Sequence, residues 1–245
     1  MSMIIYLELF KKYFKLFYFC FLKKTGIKKI VRTTEYSKNY YNKAVAIEQR
    51  EKKWLMYNGK KLVFDYAIDI FEGDNNIIKE EIEKFGNVKT VLDVGCGTGR
   101  RIPYLKKKLS NISFQGVDVS KTRIERGKKK FNNIKLFVSP ADKLPFKDNS
   151  IDIIYTHHSL EQMPYTIEKV IKEFNRVCKK GIIIFEPFYE LQNKAGKMHN
   201  YVNDYVRNIP KHVVSNGFQI TKFVNLNRGS YSNQSGLLIG KKVKK

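Results

Sequence analysis

Two hydrophobic periods alternate along most of this chain. Short apolar runs at 91–94, 112–119, 134–138, 151–156 and 182–185 are bounded by glycines or polar residues and predict buried strands. The segments between them, 100–109, 120–131 and 166–178, read as helices, and in the last of these Val170, Ile171, Phe174 and Val177 recur at helical spacing. Strand and helix in alternation predict a parallel sheet covered on both faces. Toward the end of the chain, 205–215 reads as a helix, 217–220 opens a sixth strand and 235–240 forms a seventh, with 225–233 as the loop that joins them. Upstream, Leu62, Phe64, Ala67, Ile68 and Phe71, then Ile77, Ile78, Ile82 and Phe85, are separated by Gly73-Asp74-Asn75-Asn76 and predict two amphipathic helices joined by a turn.

The pattern changes again before residue 60. Residues 33–58 are polar and aromatic, with Tyr36, Tyr40, Tyr41 and Trp54 on helix and Tyr36 and Tyr40 on one helical face. Residues 1–31 mix aromatic and aliphatic positions with Glu8, Lys11, Lys12, Lys15, Lys23 and Lys24. No uncharged run there approaches the roughly 18 residues that a spanning helix needs, and lysines inside and after the apolar part do not fit a secretory signal. Such a stretch suits a helix lying on an anionic membrane surface, or equally one packing on the main domain or on a second subunit. The chain thus divides into a basic aromatic-rich helix at 1–31, a helical cap at 32–86 and a main domain at 87–245.

At 245 residues the length allows one α/β domain plus an extension. The three cysteines, Cys20, Cys96 and Cys178, form no C-x-x-C pair, so neither a disulfide framework nor a cysteine metal site is expected, and the cytoplasm fits best. A net charge of +24 would attract nucleic acid, anionic lipid or an anionic substrate. An excess of lysine over arginine, with Asn, Ile, Tyr and Phe also abundant, is equally what an AT-rich coding sequence produces. Nucleic acid is the weakest of these partners, because no attached RNA module accompanies the charge.

Chemistry concentrates after the first strand, in Asp93-Val94-Gly95-Cys96-Gly97-Thr98-Gly99. Glycines there let the backbone approach a ligand and supply positive φ. The spacing is not G-x-G-x-x-G, since Arg100 stands where the third glycine would be, and no G-x-x-x-x-G-K-[ST] occurs, so a dinucleotide and a P-loop nucleotide are both demoted. Asp118, with Val119 after it, ends the second strand about twenty residues on, the place for an acid that accepts hydrogen bonds from ribose hydroxyls. Downstream come Ala141-Asp142-Lys143-Leu144-Pro145-Phe146, a polar turn, and a fourth strand beginning at Asp152 and ending in His157-His158-Ser159-Leu160-Glu161-Gln162.

In this order and spacing the motifs resemble those of the class I S-adenosylmethionine (SAM) methyltransferases of small-molecule type, over about residues 88–188. The resemblance implies a seven-stranded Rossmann-like sheet with helices on both faces and an antiparallel last strand, and SAM as cofactor. It also implies that the turn of Gly95, Cys96, Gly97, Thr98 and Gly99 passes the methionine part and that Asp93 suits its ammonium group. Asp142 would meet the adenine amino group, and Ala141 and Leu144 the ring. His157 and His158 end a strand that faces the crevice; either could act as general base, with Glu161 as base or orienting group, and His157 could instead pack on the cofactor. No metal is expected. The Glu186-Pro187-Phe188-Tyr189-Glu190 ending of the fifth strand resembles methyltransferases of bacterial surface-polysaccharide pathways. The chain is therefore expected to O-methylate a small-molecule or glycan-type acceptor, with methylation of a membrane-borne lipid or quinone at the inner membrane surface as the alternative and an RNA-directed role behind both. His199, Tyr201 and Tyr205 are expected in the outer wall of the acceptor pocket.

Overall fold

The computed structural model describes residues 62–230 and 233–243. The expected membrane-surface helix at 1–31 and the aromatic stripe at 33–58 lie outside the described residues. Helix α1 (Leu62–Lys84) leads into strand β1 (Thr90–Val94). There follow α2 (Arg101–Lys108), β2 (Ser113–Asp118), α3 (Lys121–Lys130), β3 (Lys135–Val138), β4 (Ile151–His157), α4 (Ile167–Val177) and β5 (Cys178–Glu186). The chain ends with α5 (Lys194–Val202), α6 (Ile209–Ser215), β6 (Phe218–Ser230) and β7 (Asn233–Lys242).

These strands form one sheet in the order β3-β2-β1-β4-β5-β7-β6. The first five are parallel, and β7 lies antiparallel between β5 and β6. Strand order reverses between β1 and β4, and in open sheets of this kind a ligand crevice opens beyond the carboxyl ends of the strands at that point.

Side-chain alternation along each strand builds one core on either face. Leu92, Val94, Ile154, Ile182 and Ile184 pack on the α4 side with Val170, Ile171 and Phe174. Val91, Ile153, Tyr155, Ile183 and Phe185 pack on the opposite side with Ile78 and Ile82 of α1 and with Ile102 and Leu105 of α2. Asp93 alternates with Leu92 and Val94 and so belongs to the face that α1 and α2 cover.

Three expectations need correction. Residues 62–84 form a single helix, not two with a turn. Gly73-Asp74-Asn75-Asn76 stays helical because tertiary partners take up its polar groups: Asn75 Oδ1 accepts from Arg101 at 2.7 Å and Asp74 bonds to His157 and Arg228. Likewise 225–233 is not a free loop. β6 runs on to Ser230, with a register shift between Asn225 and Arg228, and Arg228 pairs with Ser235. The helix expected over 205–215 is confined to Ile209–Ser215.

Candidate functional site

The glycine turn leaves β1 with Gly95, Gly97 and Gly99 all at positive φ, 79°, 60° and 73°. The three glycines answer two demands. A Cβ on Gly95 would lie 2.3 Å from Ser159 Cβ, and one on Gly99 2.9 Å from Leu136, so these two are packing positions. A Cβ on Gly97 would meet only Arg123 Nη1, at 3.6 Å, so it would project into the open side of the turn, where the backbone can approach a ligand. The Cys96 side chain faces inward, against the site of a Cβ on Gly116, and burial raises its thiol pKa well above the ordinary 9. Cys96 can therefore serve the crevice only through its backbone.

Asp118 sits at the end of β2, where Oδ2 accepts from Gly97 N and Oδ1 from Ser120 N, both at 2.8 Å. It thus fixes the glycine turn and the start of α3 together, and burial raises its pKa despite those bonds. Val119 follows it, half-buried. On the far side, Asp142 is half-buried, while Ala141 and Leu144 belong to the α4-side core and so offer at most an edge to a ring. Asp93 is buried and accepts from Tyr155 Oη at 2.7 Å. Burial, only partly offset by that bond and by Arg101, carries its pKa from 3.8 to about 7.

The end of β4 supplies the opposite wall. His157 stacks on Phe185, ring centroids 4.6 Å apart, and its Nε2 lies 3.0 Å from Asp74 Oδ2 and 2.8 Å from Arg101 Nη2. Burial and the Arg101 charge hold its pKa well below 6.5, so it is neutral at neutral pH and unsuited to carry a proton. His158 is different. Its φ is 52°, an uncommon backbone state for a side chain with a Cβ. Its amide donates to Phe185 O, and the carboxylate of Glu186 behind it accepts from the amides of Ser159, Leu160 and Glu161 at 2.9, 3.1 and 3.3 Å. Glu186 thus shapes the turn and does not face an acceptor, while Glu190 accepts from Asn208 N.

The turn so held presents His158 Nδ1 to Glu161 Oε2 at 3.2 Å and Nε2 to Ser235 Oγ at 2.8 Å. Burial opposes protonation of this imidazole, but the hydrogen bond and charge of Glu161, with Glu186 behind, carry its pKa above 6.5.

Both histidines line a cavity of about 320 Å³ whose remaining polar wall includes Asp74, Arg100, Arg101 and Arg228. None of these four is legible as a site residue in the sequence: Asp74 sits in an apparent turn, and Arg228 arrives from 154 residues away. The one available signal is that Arg100-Arg101 directly follows the glycine turn. His199, Tyr201 and Tyr205 are not in the cavity wall; the rings of His199 and Tyr205 pack edge-on against each other. Among the described residues, no group of three His, Cys, Asp or Glu is placed to hold a metal ion, and no helix is long and apolar enough to cross a membrane.

A glycine turn at a topological switch point, an acid closing the next strand and a polar cavity beside them define an α/β protein built for a nucleoside-bearing cofactor. The family profile described as a methyltransferase domain matches residues 91–181. The ubiquinone/menaquinone biosynthesis C-methyltransferase UbiE of Rickettsia prowazekii is 30% identical over 184 residues, 66% of this chain and 71% of that protein. The sterol 4-C-methyltransferase strm-1 of Caenorhabditis elegans is 34% identical over 110 residues, 42% of this chain and 32% of that protein. The chain spans about half the length of two further bacterial relatives. Magnesium protoporphyrin IX methyltransferase of Synechocystis PCC 6803, solved with bound S-adenosylhomocysteine (SAH), shares the fold with a TM-score of 0.65 at 14% identity, over 86% of this chain and 100% of that one. The chain belongs to the class I SAM-dependent methyltransferases, and the cofactor of that family is S-adenosylmethionine. The residues present fit it: an open backbone at Gly97 and buried carboxylates at Asp93 and Asp118, near the carboxyl ends of the adjacent strands β1 and β2.

Proposed function

We propose that this chain transfers a methyl group from SAM to a carbon of a lipid-type acceptor, a quinol ring or a related hydroxyl-bearing lipid. The observation that carries the reading is the His158–Glu161 pair in the cavity wall at the end of β4. The names of the relatives support the acceptor class, since a sterol and a quinone C-methyltransferase are among them, and they favour it over a glycan-type hydroxyl.

Bound SAM would supply a methyl group already activated on a cationic sulfur. The protein then has to align the acceptor and take a proton. Asp93, Asp118 and Asp142, with the Gly97 backbone, would hold the cofactor. His158 would accept the proton of an acceptor hydroxyl, with Glu161 stabilising the imidazolium that forms, and loss of that proton pushes electron density onto the ring carbon that bonds to the methyl group. The ring proton displaced by the new C–C bond leaves to solvent. His157 stays neutral and orients Asp74 and Arg101. The segment at 1–31 would bring the domain to an anionic membrane surface from the cytoplasmic side.

The test is transfer of labelled methyl from SAM by the full chain to a demethylated menaquinol dispersed in anionic vesicles, beside nucleotide sugars. Label on a ring carbon is expected, with turnover falling on the order of a hundredfold or more in His158→Ala, the range general-base removal gives. Label on sugar hydroxyls alone, or full turnover in the variant, would refute the reading.

A further inference from the structure

The cavity beside His158 carries more positive charge than catalysis of a neutral lipid needs. Arg100, Arg101 and Arg228 line it, and among the described residues the single carboxylate in its wall is Asp74. Asp74 is already committed: Oδ1 takes Arg228 Nε at 2.8 Å and Oδ2 takes His157 Nε2 at 3.0 Å, with Arg101 Nη2 at 4.0 Å. Burial pushes the Asp74 carboxyl up, but His157 and Arg228 hold it below the ordinary range, so it stays ionised and offsets one of the three charges. Among the described residues no carboxylate pairs with Arg100, whose guanidinium lies 5.2 Å from the centre of the Phe71 ring.

The arrangement is built, not incidental. Arg101 is buried, bonded to Asn75 and set 5.0 Å over the same Phe71 ring. Arg228 reaches the cavity from the β6–β7 hairpin by crossing α1 at Gly73, where a Cβ would stand 2.2 Å from its Nη2. Asn233 Oδ1, in the same wall, is shielded from solvent and finds no hydrogen-bond partner among the described residues, leaving an acceptor for a ligand hydroxyl.

We propose that this cavity binds an acidic oxyanion of the acceptor, a carboxylate or phosphate, between Arg100, Arg101 and Arg228. The inference rests on the reading above in placing the acceptor in this cavity. Within that acceptor class it gives tighter binding to members that carry an acid near the hydroxyl that His158 deprotonates, without excluding a neutral quinol. A forked guanidinium pair suits such a group, because each can donate two parallel N–H bonds to it. The other source of an oxyanion is the carboxylate of the cofactor itself, and the experiment separates the two.

Full-length protein saturated with SAH is titrated calorimetrically with 4-hydroxybenzoate, phenol and inorganic pyrophosphate. Wild type should bind 4-hydroxybenzoate or pyrophosphate at least tenfold more tightly than phenol, and raised salt should weaken it. Arg228→Gln and Arg100→Gln should each remove most of that preference while SAH affinity stays within twofold. Arg100 is exposed, so its variant serves if Arg228→Gln does not fold. Loss of SAH affinity in parallel with anion affinity would assign the arginines to the cofactor and overturn the proposal, as would equal binding of 4-hydroxybenzoate and phenol by folded wild type with no measurable pyrophosphate binding. No turnover enters this measurement. Failure to methylate a lipid therefore sinks the functional reading alone, and failure to prefer the anion sinks this one alone.

Discussion

Asp93 is the residue whose replacement tests the cofactor side of the site most directly. Its carboxyl is buried and, among the described residues, bonded only to Tyr155 Oη, and its pKa rises from 3.8 to about 7 on folding. An acid with a raised pKa binds more protons folded than unfolded between those two values, so its contribution to stability is complete below pH 3.8 and is lost as pH rises through 7. At 1.36 kcal/mol per pKa unit, the cost of keeping Asp93 in place is about 2 kcal/mol at pH 5 and about 4 kcal/mol at pH 8. Asn at this position accepts the same Tyr155 hydrogen bond and carries no charge. The stability of wild type relative to Asp93→Asn should therefore fall by about 2 to 3 kcal/mol between pH 5 and pH 8. Denaturant unfolding of both proteins at the two pH values measures it. Titrating groups that do not interact with Asp93, Glu186 with its own pKa of about 7 included, are common to both chains and cancel in the difference.

On the reading that Asp93 meets the cofactor's ammonium group, Asn cannot supply the charge that the cost of burial buys. If the ligand needs the ionised carboxylate, SAH affinity of wild type should drop about tenfold from pH 8 to pH 6, and that dependence should vanish in Asp93→Asn together with most of the affinity. A stability difference that stays constant with pH, or an SAH affinity that the substitution leaves intact, would refute the assignment.

Two other substitutions separate roles that the geometry assigns. Glu161→Gln removes the charge that raises the pKa of His158, so the His158 ring should titrate lower by NMR and the alkaline rise of kcat should move to lower pH with it; an unmoved profile would exclude His158 as the base. Asp118→Asn deprives either Gly97 N or Ser120 N of its acceptor, a loss of about 1 kcal/mol set against relief of a buried charge. Its melting temperature should change little while SAH affinity falls at least tenfold, and equal loss of both would make Asp118 a purely structural residue.

The glycine turn and its anchor were open to reading because their determinants are local. Gly95 to Gly99 and Asp118 each act within one strand–turn–helix unit, so spacing alone carries them, and the strands show themselves as apolar runs bounded by turns. The wall of the His158 cavity is written in contacts that spacing does not contain. Asp74 and Asn75 carry turn chemistry in their side chains, yet they stay helical because Arg101, His157 and Arg228, 26 to 154 residues away, satisfy them. The same cause extended β6. Asn225, Asn227 and Gly229 look like loop residues, but the ladder with β7 continues past them after a register shift. Propensity lost to tertiary hydrogen bonding in both places.

Sheet alternation explains why these distant segments meet. Asp93, Tyr155 and His157 occupy alternate positions on neighbouring strands and so project to one face, the face that α1 and α2 cover. Two sets of contacts lie on that face: Tyr155 Oη to Asp93, and, two residues further along β4, the His157 ring on Phe185, His157 to Asp74 and Asp74 to Arg228. Only the second set touches α1 and the hairpin. Substitutions at Asp74 or Arg228 should therefore change the wall of the His158 cavity while leaving Asp93 and the glycine turn undisturbed, whereas a change at Tyr155 would be felt first by the Asp93 carboxylate.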